Sequence, residues 1–282
     1  MKRYFGCHVS SSGGLENSLK NGDFLGVNAI QLHPSPPQKW NSKPYTSGFE
    51  DKYLIEKKTS KVEKVFFHAI YLINLANPDP SKFHLSKISL VHYLELASKI
   101  GADGVIVHVG SLKDQEDENV GFAQVAEGIK WVLDQSPGGA RLLMEVAAGS
   151  GKVIGSKMEQ LANIFKLAGY PKRLGFALDT QHMWASGYNL IENLEVVIES
   201  IKNNFSFENI GCIHINDSKV DYNSKKDRHE NIGGGSIGWE GLKAFVNHPE
   251  LIGIPMILET PHLKDTETAK LEVEKFKELL SI

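Results

Sequence analysis

The chain has 282 residues, of which 41% are hydrophobic and 23% charged, an ordinary globular composition long enough for one large domain or two small ones. A formal net charge of −3 excludes a global basic field for nucleic acid and leaves room only for a local one, while just two cysteines, Cys7 and Cys212, exclude a disulfide framework. The start, MKRYFGCHVS, lacks the apolar centre of a secretory signal, and no apolar run reaches the ~18 residues of a membrane span, so the expectation is a cytoplasmic protein without membrane association.

Short apolar, β-branched runs bounded by turn residues mark strands. The first, residues 3–9, has His8 as its last polar residue, and the second, 27–33, has His33. The third, 64–69, ends around His68 and is followed by a helical pattern over 85–102, with apolar spacings of three and four and a glycine stop. The fourth, 104–110, carries His108, and the fifth, 141–146, carries Glu145. A helical segment over 157–170, also stopped by glycine, leads to the sixth strand, 174–180, with Asp179. Another helical segment, 192–205, precedes the seventh strand, 210–216, with His214; the eighth, 254–260, carries Glu259.

No linker, repeat or composition shift interrupts this alternation. Eight βα units of about 30 residues or more predict one α/β domain over 1–282, a (β/α)8 barrel, with a doubly wound open sheet as the rival. In such a barrel the C-terminal strand ends form the active face. A lone polar residue there would simply bond to backbone. Eight imidazoles and carboxylates on one mouth would repel, or desolvate at great cost, unless cations compensated them.

Two further stretches enlarge the set. "LDTQHMWASGYN" places His182 three residues beyond Asp179, where a loop can turn it into the mouth. "HINDSKVDYNSKKDRHENIG", residues 214–233, adds Asp227 and His229, although a charge-rich loop by itself is usually only solvated. The ligand set becomes His68, His108, Glu145, Asp179, His182, His214, Asp227, His229 and Glu259. Nine ligands exceed one ion, and three or four per ion implies two or three. Mixed imidazole and carboxylate donors suit zinc best, then manganese or iron.

These motifs resemble those of the endonuclease IV family of AP endonucleases along nearly the whole chain: "GCHVSSSGGLENSL", "HAIYLINLA", "VHVGS", "LDTQHMWASGYN", "HINDSK…DRHENIGGGSIG" and "ILETP". The resemblance implies a (β/α)8 barrel with three zinc ions, manganese being able to serve at one position. His68, His108 and Glu145 would hold the first ion. Glu145 would bridge to a second, held by Asp179, His214 and Glu259, and His182, Asp227 and His229 would hold the third. It also implies a monomer that hydrolyses the phosphodiester 5′ to an abasic site in double-stranded DNA, with Glu145 and Glu259 orienting the attacking water. Tyr71 and Leu72 would enter the minor groove at the lesion, and Lys39 would meet the DNA backbone; separately, simple alternation turns Arg228 away from Asp227 and His229, free to meet a DNA phosphate. His8 and His33 fall outside the implied ligand set.

The chain departs from the family pattern in "HPSPPQKW", where Lys39 stands in for an arginine, in Val146 and Ala147 after Glu145, and at Gln181. Two rivals remain: a sugar isomerase or epimerase on a similar barrel, which needs fewer ligands, and a non-catalytic damaged-DNA binder, which has no use for open metal positions.

Overall fold

The computed structural model describes residues 2–34, 40, 48–113 and 115–282. Its strands, in chain order, are β1 (Phe5–His8), β2 (Ala29–Leu32), β3 (Lys64–His68), β4 (Gly104–Val107), β5 (Arg141–Glu145), β6 (Leu174–Asp179), β7 (Ile210–Ile215), β8 (Asp217–Ser218), β9 (His229–Glu230) and β10 (Met256–Leu258). All but β8 and β9 form a closed parallel barrel in the order β1-β10-β7-β6-β5-β4-β3-β2. The registers Phe5↔Met256, Gly6↔Ile257 and Cys7↔Leu258 join first strand to last and exclude the open sheet.

Helices α1 (Glu16–Leu25), α2 (Phe49–Lys57), α3 (Pro80–Lys99), α4 (Glu118–Gln135), α5 (Met158–Leu167), α6 (Thr180–Ser186), α7 (Leu194–Phe205), α8 (Gly238–Val246) and α9 (Thr266–Leu280) fill the connections. Among the described residues no helix is long and apolar enough to cross a membrane. The third helix begins earlier than the apolar spacing predicts. Asp79 accepts hydrogen bonds from the Ser81 and Lys82 amides, and Pro80 occupies the first turn, where its missing N–H costs nothing.

Alternation along each strand sorts the core into two compartments. Outward residues such as Ile30, Phe67, Val105, Val107, Leu142 and Met144 pack beneath the helices. Inward residues Ala29, Phe66, Ile106, Leu143, Ala177, Cys212 and Ile257 make a separate cluster that plugs the barrel. Gly6 completes this layer from β1, because a Cβ there would lie only 1.5 Å from the Ala29 carbonyl oxygen. Two residues further along each strand comes the next inward position. There the apolar plug gives way to a polar ring.

Candidate metal centre

The ring is His8, Gln31, His68, His108, Glu145, Asp179, His214 and Glu259, each two residues beyond a member of the plug layer. Glu145 is fully buried at its centre. Its Oε2 lies 3.1 Å from His68 Nε2 and 3.3 Å from His108 Nε2, while Oε1 lies 2.9 Å from His214 Nδ1. The two oxygens thus face two different groups. His214 Nδ1 is also 3.2 Å from Glu259 Oε2 and 3.7 Å from Asp179 Oδ2.

A third group forms where α6 meets the β8–β9 hairpin. The segment after Asp179 is a helix and not the loop expected. Asp179 caps it by accepting from the His182 amide at 2.9 Å, which brings His182 one turn on into the mouth. His182 Nε2 lies 3.4 Å from His229 Nε2 and 3.4 Å from Asp227 Oδ2, and His229 Nε2 lies 3.3 Å from Asp227 Oδ1. Asp179 belongs here too, its Oδ2 being 3.8 Å from His229 Nε2. Ligand atoms of Asp179, His182 and His229 lie within 4.8 Å of one another, so Asp179 reaches the second and third groups alike. The resemblance had assigned it to the second alone.

Hydrogen bonding fixes which imidazole nitrogen faces the cluster. His68 Nδ1 donates to the Ala69 carbonyl (2.9 Å), His182 Nδ1 to the Val146 carbonyl (3.0 Å), and His229 Nδ1 to the Glu259 carbonyl (3.3 Å). His214 is turned over: its Nε2 donates to Gln31 Oε1 at 2.7 Å. In each of these four rings one nitrogen is held by an uncharged acceptor and the other faces the cluster, where it donates to a carboxylate when the ring is protonated and offers a lone pair to a metal ion when the ring is neutral. At His182 and His229 two lone pairs face each other, a repulsive arrangement unless a proton or a metal ion lies between. Tetrahedral zinc, with bonds of about 2.0–2.1 Å, separates its ligand atoms by about 3.3–3.4 Å. The separations in the third group match that spacing, and the donor set fits zinc.

Electrostatics point the same way. Burial opposes charge on every group here, yet opposite neighbours overcome it. Desolvation pushes His214 down, but Glu259 and Glu145 outweigh it and carry its pKa up to about 9. His182 rises well above its ordinary value through Asp179, Asp227 and Glu145, and His68 rises through Glu145. His108 and His214 hold Glu145 well below the usual carboxylate range despite its burial. Protons on imidazoles balance the carboxylates, and those are the protons a divalent ion would displace.

Three residues that sequence reasoning passed over support this centre. The sequence pattern points to His33 as the polar end of the second strand, but β2 stops at Leu32 and its inward residue is Gln31. The Gln31 amide donates to Glu259 Oε1 (2.5 Å) and to His8 Nδ1 (3.2 Å). Counting in twos from Ala29 would have found it. His33 lies just past the strand, donating from Nδ1 to the His68 carbonyl, and burial among other imidazoles lowers its pKa to about 4. Asn216, two beyond His214, donates to Asp179 Oδ2 (2.8 Å) and accepts from the Glu259 amide (3.0 Å). Asp217 accepts from the amides of Gly235, Ile237 and Gly238 and ties down the chain beyond His229.

Of the expected DNA contacts, Tyr71 and Leu72 are 69% and 39% exposed on the rim, so Tyr71 does not pack away beneath the following helix. Arg228 is exposed between Asp227 and His229. Lys39 lies outside the described residues.

The family described as "Xylose isomerase-like TIM barrel" matches residues 24–279. The probable endonuclease 4 of Thermosipho africanus is 34% identical over 287 residues, covering 98% of each chain. This chain belongs to the endonuclease IV family. The crystal structure of endonuclease IV from Thermus thermophilus superimposes with a TM-score of 0.87 at 28% identity, covering 99% of both chains. As an endonuclease IV family member the chain is a nuclease, a hydrolase. A D-tagatose 3-epimerase-like protein also superimposes, with a TM-score of 0.72, but at 18% identity that likeness concerns the fold alone.

Proposed function

We propose that this protein is a zinc-dependent AP endonuclease of base excision repair, hydrolysing the phosphodiester 5′ to an abasic site and leaving a 3′-hydroxyl and a 5′-deoxyribose phosphate. The observation that carries the metal reading is the pair of inward Nε2 atoms of His182 and His229, 3.4 Å apart and flanked by Asp227. In this reading His68, His108 and Glu145 hold one ion, Glu145, Asp179, His214 and Glu259 a second, and His182, His229 and Asp227, with Asp179 beside them, a third. When bound, the ions supply Lewis-acid stabilisation of phosphoryl oxygens and lower the pKa of water.

The chain's own residues supply position. Glu145, gripped from both sides by imidazoles, and Glu259, held by Gln31, keep their carboxylates ionised and aimed into the mouth, where they would orient the attacking water. The exposed Tyr71 and Leu72 present an apolar wedge to a kinked duplex, offsetting the loss of base stacking. Arg228, and Lys39 from the β2–α2 connection, would meet backbone phosphates.

A duplex with one synthetic abasic analogue tests this reading directly. The purified chain should nick it on the 5′ side, leave an end that a polymerase extends, lose activity to a chelator and regain it with zinc. An intact abasic strand after incubation with the zinc-loaded chain would overturn the assignment.

A further inference from the structure

Four of the five candidate histidine ligands have one ring nitrogen held by an acceptor. The fifth, His108, does not. Its Nε2 faces Glu145 Oε2 at 3.3 Å, but its Nδ1 is buried without a hydrogen-bond partner among the described residues. The cavity that His108 lines is walled on the β5 side by Ala147, Ala148 and Gly149, whose side chains carry no acceptor. An imidazole whose second nitrogen lacks an acceptor is a poorer ligand. Nothing fixes its tautomer or ring orientation, and no acceptor raises the basicity of the ligating nitrogen. His108 is also the most open of these rings, its side chain 27% exposed against 6% for His68, 3% for His182, 0% for His214 and 17% for His229. The group formed with His68 and Glu145 offers three protein ligands, and Glu145 is shared with the next group, which offers four. The third group has an exposed carboxylate in Asp227, but both of its imidazoles are locked.

We infer that the three metal positions are unequal: the ion at His68, His108 and Glu145 is held most weakly and exchanges first. The inference rests on the metal reading above. The loss of such an outer hydrogen bond typically costs about 10–100-fold in metal affinity, so one zinc of three should bind at least about tenfold more weakly than the others.

The test is competition between the zinc-loaded full-length chain and a chromophoric zinc chelator, following both affinity and release. Wild type should yield one zinc equivalent first and two later. His108→Ala and His68→Ala, two independent changes in the same group, should each lack the early equivalent and keep the late two. His182→Ala should keep the early one. Release of all ions in one phase, or an early equivalent that survives in both first-group variants and vanishes in His182→Ala, would overturn the inference while leaving the metal reading intact. A chain that binds no zinc would overturn both.

Discussion

Glu145 gathers the centre more than any other residue, because its two oxygens face different clusters, one at His68 and one at His214. Glu145→Gln preserves shape and removes the charge. Nicking should fall by orders of magnitude while the fold survives; wild-type rates with full metal content would contradict its role. The histidines give a pH signature with a definite sign. His214, at about 9 against an ordinary 6.5, stabilises the metal-free fold in full below pH 6.5, and that contribution is lost as pH rises through about 9. His182 and His68 shift in the same direction. A zinc ion bound there would have to displace these protons, so its affinity should rise over the same interval. Thermal melts of the chelated chain should therefore fall from pH 6.5 toward 9 while the stabilisation added by zinc grows. A chelated chain that gains stability over that range would refute the assignment of charge.

Among the elements, the stretch from β7 to α8 concentrates the most function in the least regular structure. His214 lies near the end of a barrel strand, Asn216 ties the Asp179 carboxylate to the Glu259 backbone, Asp217 gathers the amides of Ser218, Gly235, Ile237 and Gly238, and the hairpin returns Asp227 and His229 to the mouth. Gly235 closes this loop against Asp217: an added Cβ would meet the Ser218 carbonyl oxygen at 2.3 Å and Asp217 Oδ1 at 2.6 Å. Asp217→Ala strands those amides and should cost at least ~2 kcal/mol together with the third ion. Denaturation midpoints and elemental analysis check this, and a wild-type midpoint with full metal would show that the cap does not position the hairpin. Within the same hairpin, His229→Ala should release metal. Its neighbour Arg228→Ala should keep every ion yet weaken DNA binding and reduce the salt slope by about 1. Full metal in both variants would make the hairpin a merely solvated loop.

For the whole molecule, the candidate ligands come from the C-terminal ends of six of the eight barrel strands, the first turn of α6 and the hairpin. Metal binding at these groups would therefore be coupled to closure of the barrel. Zinc that binds only the folded chain stabilises it by mass action. Elemental analysis of protein never exposed to chelator should find about three zinc-class ions per chain, and stripping them should lower the melting temperature. A single ion per chain, or identical melts with and without metal, would end the three-position reading.

Much of this was legible in the linear chain, and the reason is geometric. A parallel strand buried on both faces must be apolar along its length, so a His or carboxylate at its end stands out, and eight such runs in alternation with helices lead to a barrel. The Asp179/His182 and Asp227/His229 pairs were visible as short spacings. Alternation that begins at an unknown residue cannot say which strand-end side chain points inward, so the sequence points to His33 where the barrel presents Gln31. Helix capping by Asp179 turned an expected loop into α6. Which oxygen of Glu145 faces which imidazole, how Asp179 comes to reach two groups, and the lack of an acceptor for His108 among the described residues depend on atoms from strands far apart in sequence. Only closure of the barrel sets those distances.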